Sequence, residues 1–396
     1  MSLQTQKATL NFSTSSVEGK RHYSLNKLSA LESKSLSSAG AGVIPKEKER
    51  NWKISVLNEI PLDFPLERTR REIDQVPVDK VVDRITKSLR LLSIEADFDG
   101  ENAKAMCRTS DMVRFQVRLF AGEARTQEPV IVEIQRRSGS PLCFMSVCKK
   151  LLDAVEGAEI QPESVPARKK IPTCIMKTPV RKMKCLKNID KPDPVAMVKV
   201  GMNKSLEMLR SKKKDTNILG LENLCFMTDP QKTRPDMASM SCREMISGDY
   251  WVEIRDEIEE ILQNDMYLLE GFESNPCKKI FHKCRYLVVV LLANVLALTS
   301  EDGCLEVAIQ NQKWFTEFLI PSLVYEVKSF EISSNNAYEA ACGLTFLASC
   351  SDIAKRKMTE NSAVDNLQSA YQFAVYNHDL LASETKTCLE LLGHLV

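Results

Sequence analysis

The sequence predicts an α+β protein: a small antiparallel sheet with two helices, followed by an all-α stack of helices, behind a disordered N-terminal tail. Three observations carry this. Between Pro77 and Val155 one helical apolar stripe gives way to two alternating runs and then to a second helical stripe. From Asp193 onward glycine and proline thin out and apolar residues recur at helical spacing without a strand signal. Residues 1–50 hold ten serines, few large apolar side chains and no sustained period. Such a stretch buries too little surface to offset its chain entropy, and its serines suit either a flexible leader or a phosphorylated regulatory segment.

The elements follow in order. Residues 51–76 read as a linker or extension. Val78, Val81, Val82, Ile85, Leu89 and Leu92 then fall on one stripe, with Asp79, Lys80, Asp83, Arg84 and Lys87 on the rest of the helix. After a turn at Asp97-Phe98-Asp99-Gly100, Val113, Phe115, Val117 and Leu119 alternate with Arg114, Gln116 and Arg118, the mark of a half-buried strand. A second strand runs from Val130 to Arg136. Phe144, Val147, Cys148, Leu151, Leu152 and Val155 return to helical spacing. This module, 77–158, packs two helices on one face of its sheet. Residues 159–192 form a basic linker: from Arg168 to Lys191 there are nine cations and one acid, Asp190, broken by Pro172 and Pro179. In 193–396 the candidate helices are 193–211, 214–228, 252–270, 277–299, 303–329, 335–349, 352–376 and 380–395, with a loop or insertion at Lys232–Tyr250.

Length and composition bound the rest. A chain of 396 residues exceeds what one core usually fills, about 250–300 residues. The near balance of 54 cations and 53 acids argues against a nucleic-acid coat, so a charged partner must be met locally. Thirteen cysteines without a CxxC pair read as reduced thiols in the cytosol or nucleus, with peripheral membrane attachment also open. The most apolar stretch, Tyr286–Leu298, is shorter than the roughly 20 residues of a membrane span, and no secretory leader is expected.

Two resemblances add to this. Pro77-x3-Val81-x3-Ile85, Cys107-Arg108-Thr109, Val113 to Val117, Val132 to Gly139 and Phe144-x3-Cys148-x2-Leu151-Leu152 resemble the kinase-associated C-terminal domain of protein kinases. That resemblance implies a twisted antiparallel sheet backed by two helices, and binding of acidic phospholipids or restraint of a kinase. No kinase motif accompanies it here. Asn203 to Arg210, Ile218 to Cys225 with Thr228-Asp229-Pro230, and Tyr338 to Leu347 look like armadillo-type repeats, which implies a superhelix whose inner groove binds extended peptides. Asn223, Asn294, Trp314 and Asn336 are the groove residues this suggests.

Chemistry-bearing motifs are few. Cys277, His282 and Cys284, with Cys304, are the one metal candidate, and a buried thiol beside a solvated histidine explains them without a ligand. No nucleophile elbow or phosphate-cradling loop occurs. The acids Glu253, Asp256, Glu257, Glu259 and Glu260 form the wet face of a helix. The basic linker has three readings: a nuclear localisation signal, an anionic-membrane patch, or a solvated tether. Arg114, Arg118, Arg136, Arg137, Lys149, Lys150, Arg168, Lys169, Lys170, Arg181, Lys182 and Lys184 are the candidate anion-binding residues. No catalytic residue, cofactor or small-molecule substrate is expected, and nucleic acid is a poor fit.

The expected function is a non-catalytic intracellular scaffold, its repeats binding a protein partner and its module and linker binding anionic lipid or a second protein. The alternatives are a regulatory subunit or adaptor of a kinase or phosphatase assembly, a nuclear-transport-type adaptor, or an enzyme with an unrecognised site.

Overall fold

Pro77 stands at the N-cap of the first helix, α1 (Val78–Leu91), and the stripe predicted after it is buried at Val81, Val82, Ile85 and Leu89. The computed structural model describes residues 52–61, 65–122, 129–160, 193–248, 250–264 and 276–394, without the side chains of 251 and 276–279. The serine-rich tail and the linker cations Arg168, Lys169, Lys170, Arg181, Lys182 and Lys184 lie outside them.

The strands are β1 (Asn58–Glu59), β2 (Arg70–Ile73), β3 (Glu95–Asp99), β4 (Lys104–Arg108), β5 (Arg114–Ala121) and β6 (Val130–Ser138). They form one sheet in the order β2-β6-β5-β4-β3, antiparallel throughout, while β1 joins the end of β5 in parallel. Phe115, Val117, Leu119, Val130, Val132 and Ile134 form a core with residues of α1 and of α2 (Pro141–Glu156). Two differences from expectation stand out. Of the expected turn Asp97–Gly100, Asp97, Phe98 and Asp99 belong to strand β3 and only Gly100 turns, because Ala96 and Phe98 alternate inward even though acids dominate the run. Residues 51–76 contribute β1, β2 and Trp52, which is 3% exposed and stacks on Phe98 with ring centroids 5.4 Å apart. The sequence Arg70-Arg71-Glu72 hides β2 because an edge strand carries charge where a central one cannot.

The stack comprises α3 (Pro194–Leu209), α4 (Lys214–Met227), α5 (Pro235–Ser247), α6 (Trp251–Gln263), α7 (Pro276–Ser300), α8 (Cys304–Asn311), α9 (Ile320–Lys328), α10 (Ser334–Cys350), α11 (Asp352–Glu360), α12 (Ala363–Asn377) and α13 (Asp379–Leu391). Helices α4, α7, α10 and α13 pack each on the next. Lys232–Tyr250 is largely α5, not a loop, since Pro235 occupies the first turn, where its missing N–H is harmless. The span 303–329 breaks at Gln312 and resumes through a π turn, Phe315–Leu319, into α9. The span 352–376 breaks at Ser362, whose φ of 57° ends helical geometry.

Helix α7 exceeds the short apolar stretch expected of it. Ile280–Ser300 is long and apolar enough to cross a membrane by length and composition, yet 72% of its most apolar part is buried within the protein. It also carries Arg285, which is 3% exposed. Helix α10 is more enclosed still: every residue from Ser334 to Ala348 is buried.

Candidate functional site

The strand pleat sorts the predicted cations. On β5, Phe115 and Val117 point to α1 and α2, so Arg114, Gln116 and Arg118 share the opposite face of the sheet. Arg137 arrives there from β6 and donates to Gln116 Oε1 through Nε at 3.2 Å and through Nη2 at 2.5 Å. Arg118 Nη2 stands 3.5 Å from the same oxygen. Gln116 is 3% exposed, and its Nε2 has no partner among the described residues. A buried amide donor left open costs about 1–3 kcal/mol unless something accepts from it. Of the acids on this face, Glu95 is taken by Arg108 and Asp99 by Lys104. Glu133 lies opposite Arg118, and its Oε1 accepts the Glu67 N–H at 2.6 Å. Burial first, then the charge of Arg108, holds the Arg114 guanidinium below its ordinary pKa.

The other predicted cations go elsewhere. Arg136 folds back so that Nη1 donates to Gly139 O at 2.9 Å. Lys149 and Lys150 lie on α2, across the sheet from Gln116. The anion-binding set is therefore split into a sheet-face group (Arg114, Arg118, Arg137), Arg136 at the β6–α2 turn, and Lys149 and Lys150 in the middle of α2.

The candidate groove residues are engaged internally. Asn223 donates to Ser205 Oγ at 2.7 Å. Asn294 and Asn336, 7% and 4% exposed, donate to Thr228 Oγ1 and to Glu326 Oε2 at 3.4 and 3.2 Å. Trp314 packs on Phe315 and Phe318. Neither Asn294 nor Asn336 can offer its amide to an extended peptide without rearrangement.

A buried polar junction joins the two halves, and no local pattern announces it. Lys48–Val396 forms one compact unit. Glu95 and Arg108 are cross-strand neighbours whose Nε–Oε2 distance is 2.6 Å. Arg108 also reaches the His282 ring and Ser333 Oγ, each at 3.2 Å. Glu95 Oε1 accepts the Asn335 N–H at 2.6 Å and the Ser333 hydroxyl at 3.1 Å. Ser93 Oγ accepts the Leu380 N–H at 2.8 Å, and the Tyr286 hydroxyl donates to Ser110 O. The module thus supplies acceptors to open N–H groups at the starts of α10 and α13. Burial first, then the charges of Arg108 and Arg114, presses the His282 pKa down to about 3.

An open cleft of about 680 Å³ along α1 is lined by Asp79 and Asp83 together with Lys53, Lys87 and Arg90. Burial pushes the Cys148 thiol up to about 11 and raises Cys107 further, so neither carries much thiolate at neutral pH. Among the described residues no three histidine, cysteine or carboxylate side chains are placed to hold a metal. His282 faces Arg108, Cys304 begins another helix, and the Cys277 side chain lies outside the described residues. The chain matches no protein-family model, no curated protein and no solved structure.

Proposed function

We propose that this chain is a non-catalytic interaction scaffold, in which the helical stack holds a protein partner and the α+β module, with the basic segment after it, binds an anionic surface. The observation that carries the reading is the convergence of Arg118 and Arg137 on Gln116, a buried residue whose amide nitrogen has no acceptor among the described residues, with Arg114 on the same strand face. Guanidinium groups gathered on one strand face favour phosphate or carboxylate oxygens.

Two further features support it. The sheet backed by α1 and α2 agrees with the kinase-associated resemblance, whose members bind acidic phospholipids. The ladder α4, α7, α10, α13 agrees with an armadillo-type reading, although the enclosed α10 moves partner binding away from an inner groove. Five exposed apolar side chains, Val195, Met197, Val200, Leu219 and Phe226, lie on α3 and α4, and apolar surface of this kind marks protein contacts.

The test is flotation of the full chain with neutral and with phosphatidylserine-rich vesicles, at low and high salt. Flotation with anionic vesicles alone, weakened by Arg114→Gln with Arg137→Gln, is the expected result. A chain that stays in solution with both vesicle types ends the anionic-surface reading.

A further inference from the structure

Leu142 is 82% exposed, the most exposed large apolar side chain among the described residues, and Met145, one turn on, is 53% exposed. Neither belongs to the buried stripe of α2, which is Phe144, Cys148, Leu151, Leu152, Ala154 and Val155. We propose that this corner, where β6 turns into α2, inserts into the interfacial layer of an anionic bilayer. Leu142 and Met145 enter the acyl boundary while Arg136 and Lys149 hold headgroup phosphates. The inference rests on the anionic-surface reading and deepens it.

The geometry of the corner is preformed. Gly139 has φ 94°, and a Cβ there would stand 2.7 Å from Val113 Cα, so the turn is pressed against β5 as only glycine allows. Ser140 caps α2, its Oγ accepting from the Cys143 N–H at 3.4 Å, and Pro141 occupies the first turn. Side chains on a helix lean toward its N-terminus, so Leu142 leans over the turn. There Arg136 is held by Gly139 O at 2.9 Å. Lys149 is exposed and one turn beyond Met145.

Charge and shape select the occupant. From Arg136 to Lys150 the chain holds four cations and no acid, and the chain beyond α2 continues into the basic run 168–191. Two apolar side chains at the start of one helix offer little area to a folded protein. A bilayer interface accepts such a tip and rewards cations beside it, a combination of two weak signals that gives stable attachment. The register pairs Arg114 with Ser138, so the sheet-face cluster begins at the same end of the module.

The experiment uses the full chain and phosphatidylserine-rich vesicles. Leu142→Ser with Met145→Ser touches only exposed side chains, and an unchanged melting temperature verifies the fold. Partitioning about tenfold weaker than wild type is expected, because apolar burial is lost while every cation remains. Leu142→Trp should show a blue-shifted emission that acyl-brominated lipid quenches. If the serine variant floats like wild type and the tryptophan reports water, insertion is overturned while the anionic-surface reading stands. If wild type fails to float with any vesicle, both readings fall together.

Discussion

Glu95 on edge strand β3 accepts the backbone N–H of Asn335, in the first turn of α10, at 2.6 Å, so an acid from the sheet closes the start of a helix 240 residues along the chain. The same carboxylate is neutralised by Arg108, and both side chains are largely buried, 13% and 17% exposed. Removing one member of a buried pair strands the other and costs about 3–5 kcal/mol. Glu95→Ala is therefore expected to lower the stability of the full chain by that order in urea unfolding. The Glu95→Ala, Arg108→Ala double variant should cost clearly less than the sum of the singles, and strict additivity would count against the junction.

A second buried pair lies wholly within the stack. Arg285 and Glu326, 4% and 2% exposed, are in contact; Arg285 Nη1 donates to Leu262 O at 2.7 Å, and Asn336 Nδ2 donates to Glu326 Oε2 at 3.2 Å. Arg285→Met leaves a buried carboxylate with the Asn336 amide as its donor, and a loss of about 3–5 kcal/mol follows. Arg285→Met combined with Glu326→Leu should recover most of it. A double variant as unstable as the single would show that the pair is not the reason for the loss.

The difference between these pairs and the parts legible in sequence is one of range. Helix α1, strands β5 and β6 and helix α2 announce themselves because their apolar period and their burial agree over a few residues, as with Val81, Val82, Ile85 and Leu89. Strand β2 does not, since its pairing with β6 is remote and its edge position lets Arg70, Arg71 and Glu72 stand where a central strand would carry apolar residues. The armadillo-type resemblance suggests Asn336 as a groove residue, while only the fold shows Glu326 beside it. Of the site, Arg114 and Arg118 are legible from strand alternation and Arg137 from the basic turn after β6, whereas the role of Gln116 depends on the convergence of Arg118 and Arg137 in space. Leu142 and Met145 were legible in principle, as apolar residues lying off the α2 stripe.

Trp52 gives the third prediction, on where the module begins. It is 3% exposed, stacks on Phe98 and belongs to the core that includes Phe115 and Val117. Loss of a buried large aromatic costs about 3–5 kcal/mol. Trp52→Ala should therefore lower the melting temperature of the full chain, and a fragment starting at Pro77 should be markedly less stable than one starting before Trp52. Equal melting of the two fragments would return residues 51–76 to the status of a linker.

His282 and His378 make the fold sensitive to mild acid. Leu381 N–H donates to His378 Nδ1 at 3.1 Å, so the ring proton sits on Nε2, which lies 3.2 Å from Asn335 Oδ1. A second proton would face the Leu381 N–H and undo the cap of α13. Burial holds this imidazole at about 3, and burial with Arg108 and Arg114 does the same for His282. In the unfolded chain each histidine protonates near its ordinary value of about 6.5. The unfolded state therefore binds protons first as pH falls, and the stability present above about pH 6.5 declines below it, by roughly 2 kcal/mol per histidine at pH 5. The amide of Asn102 and the guanidinium of Arg234 hold the Asp99 and Asp236 carboxyls below their ordinary value, so those two groups act only below about pH 4. Thermal melts between neutral pH and pH 5 should show this decline, with the slope roughly halved in His378→Gln even though that variant starts from a lower melting temperature. Parallel slopes for wild type and variant would mean that His378 is already protonated in the fold or that its cap is not what the proton disrupts.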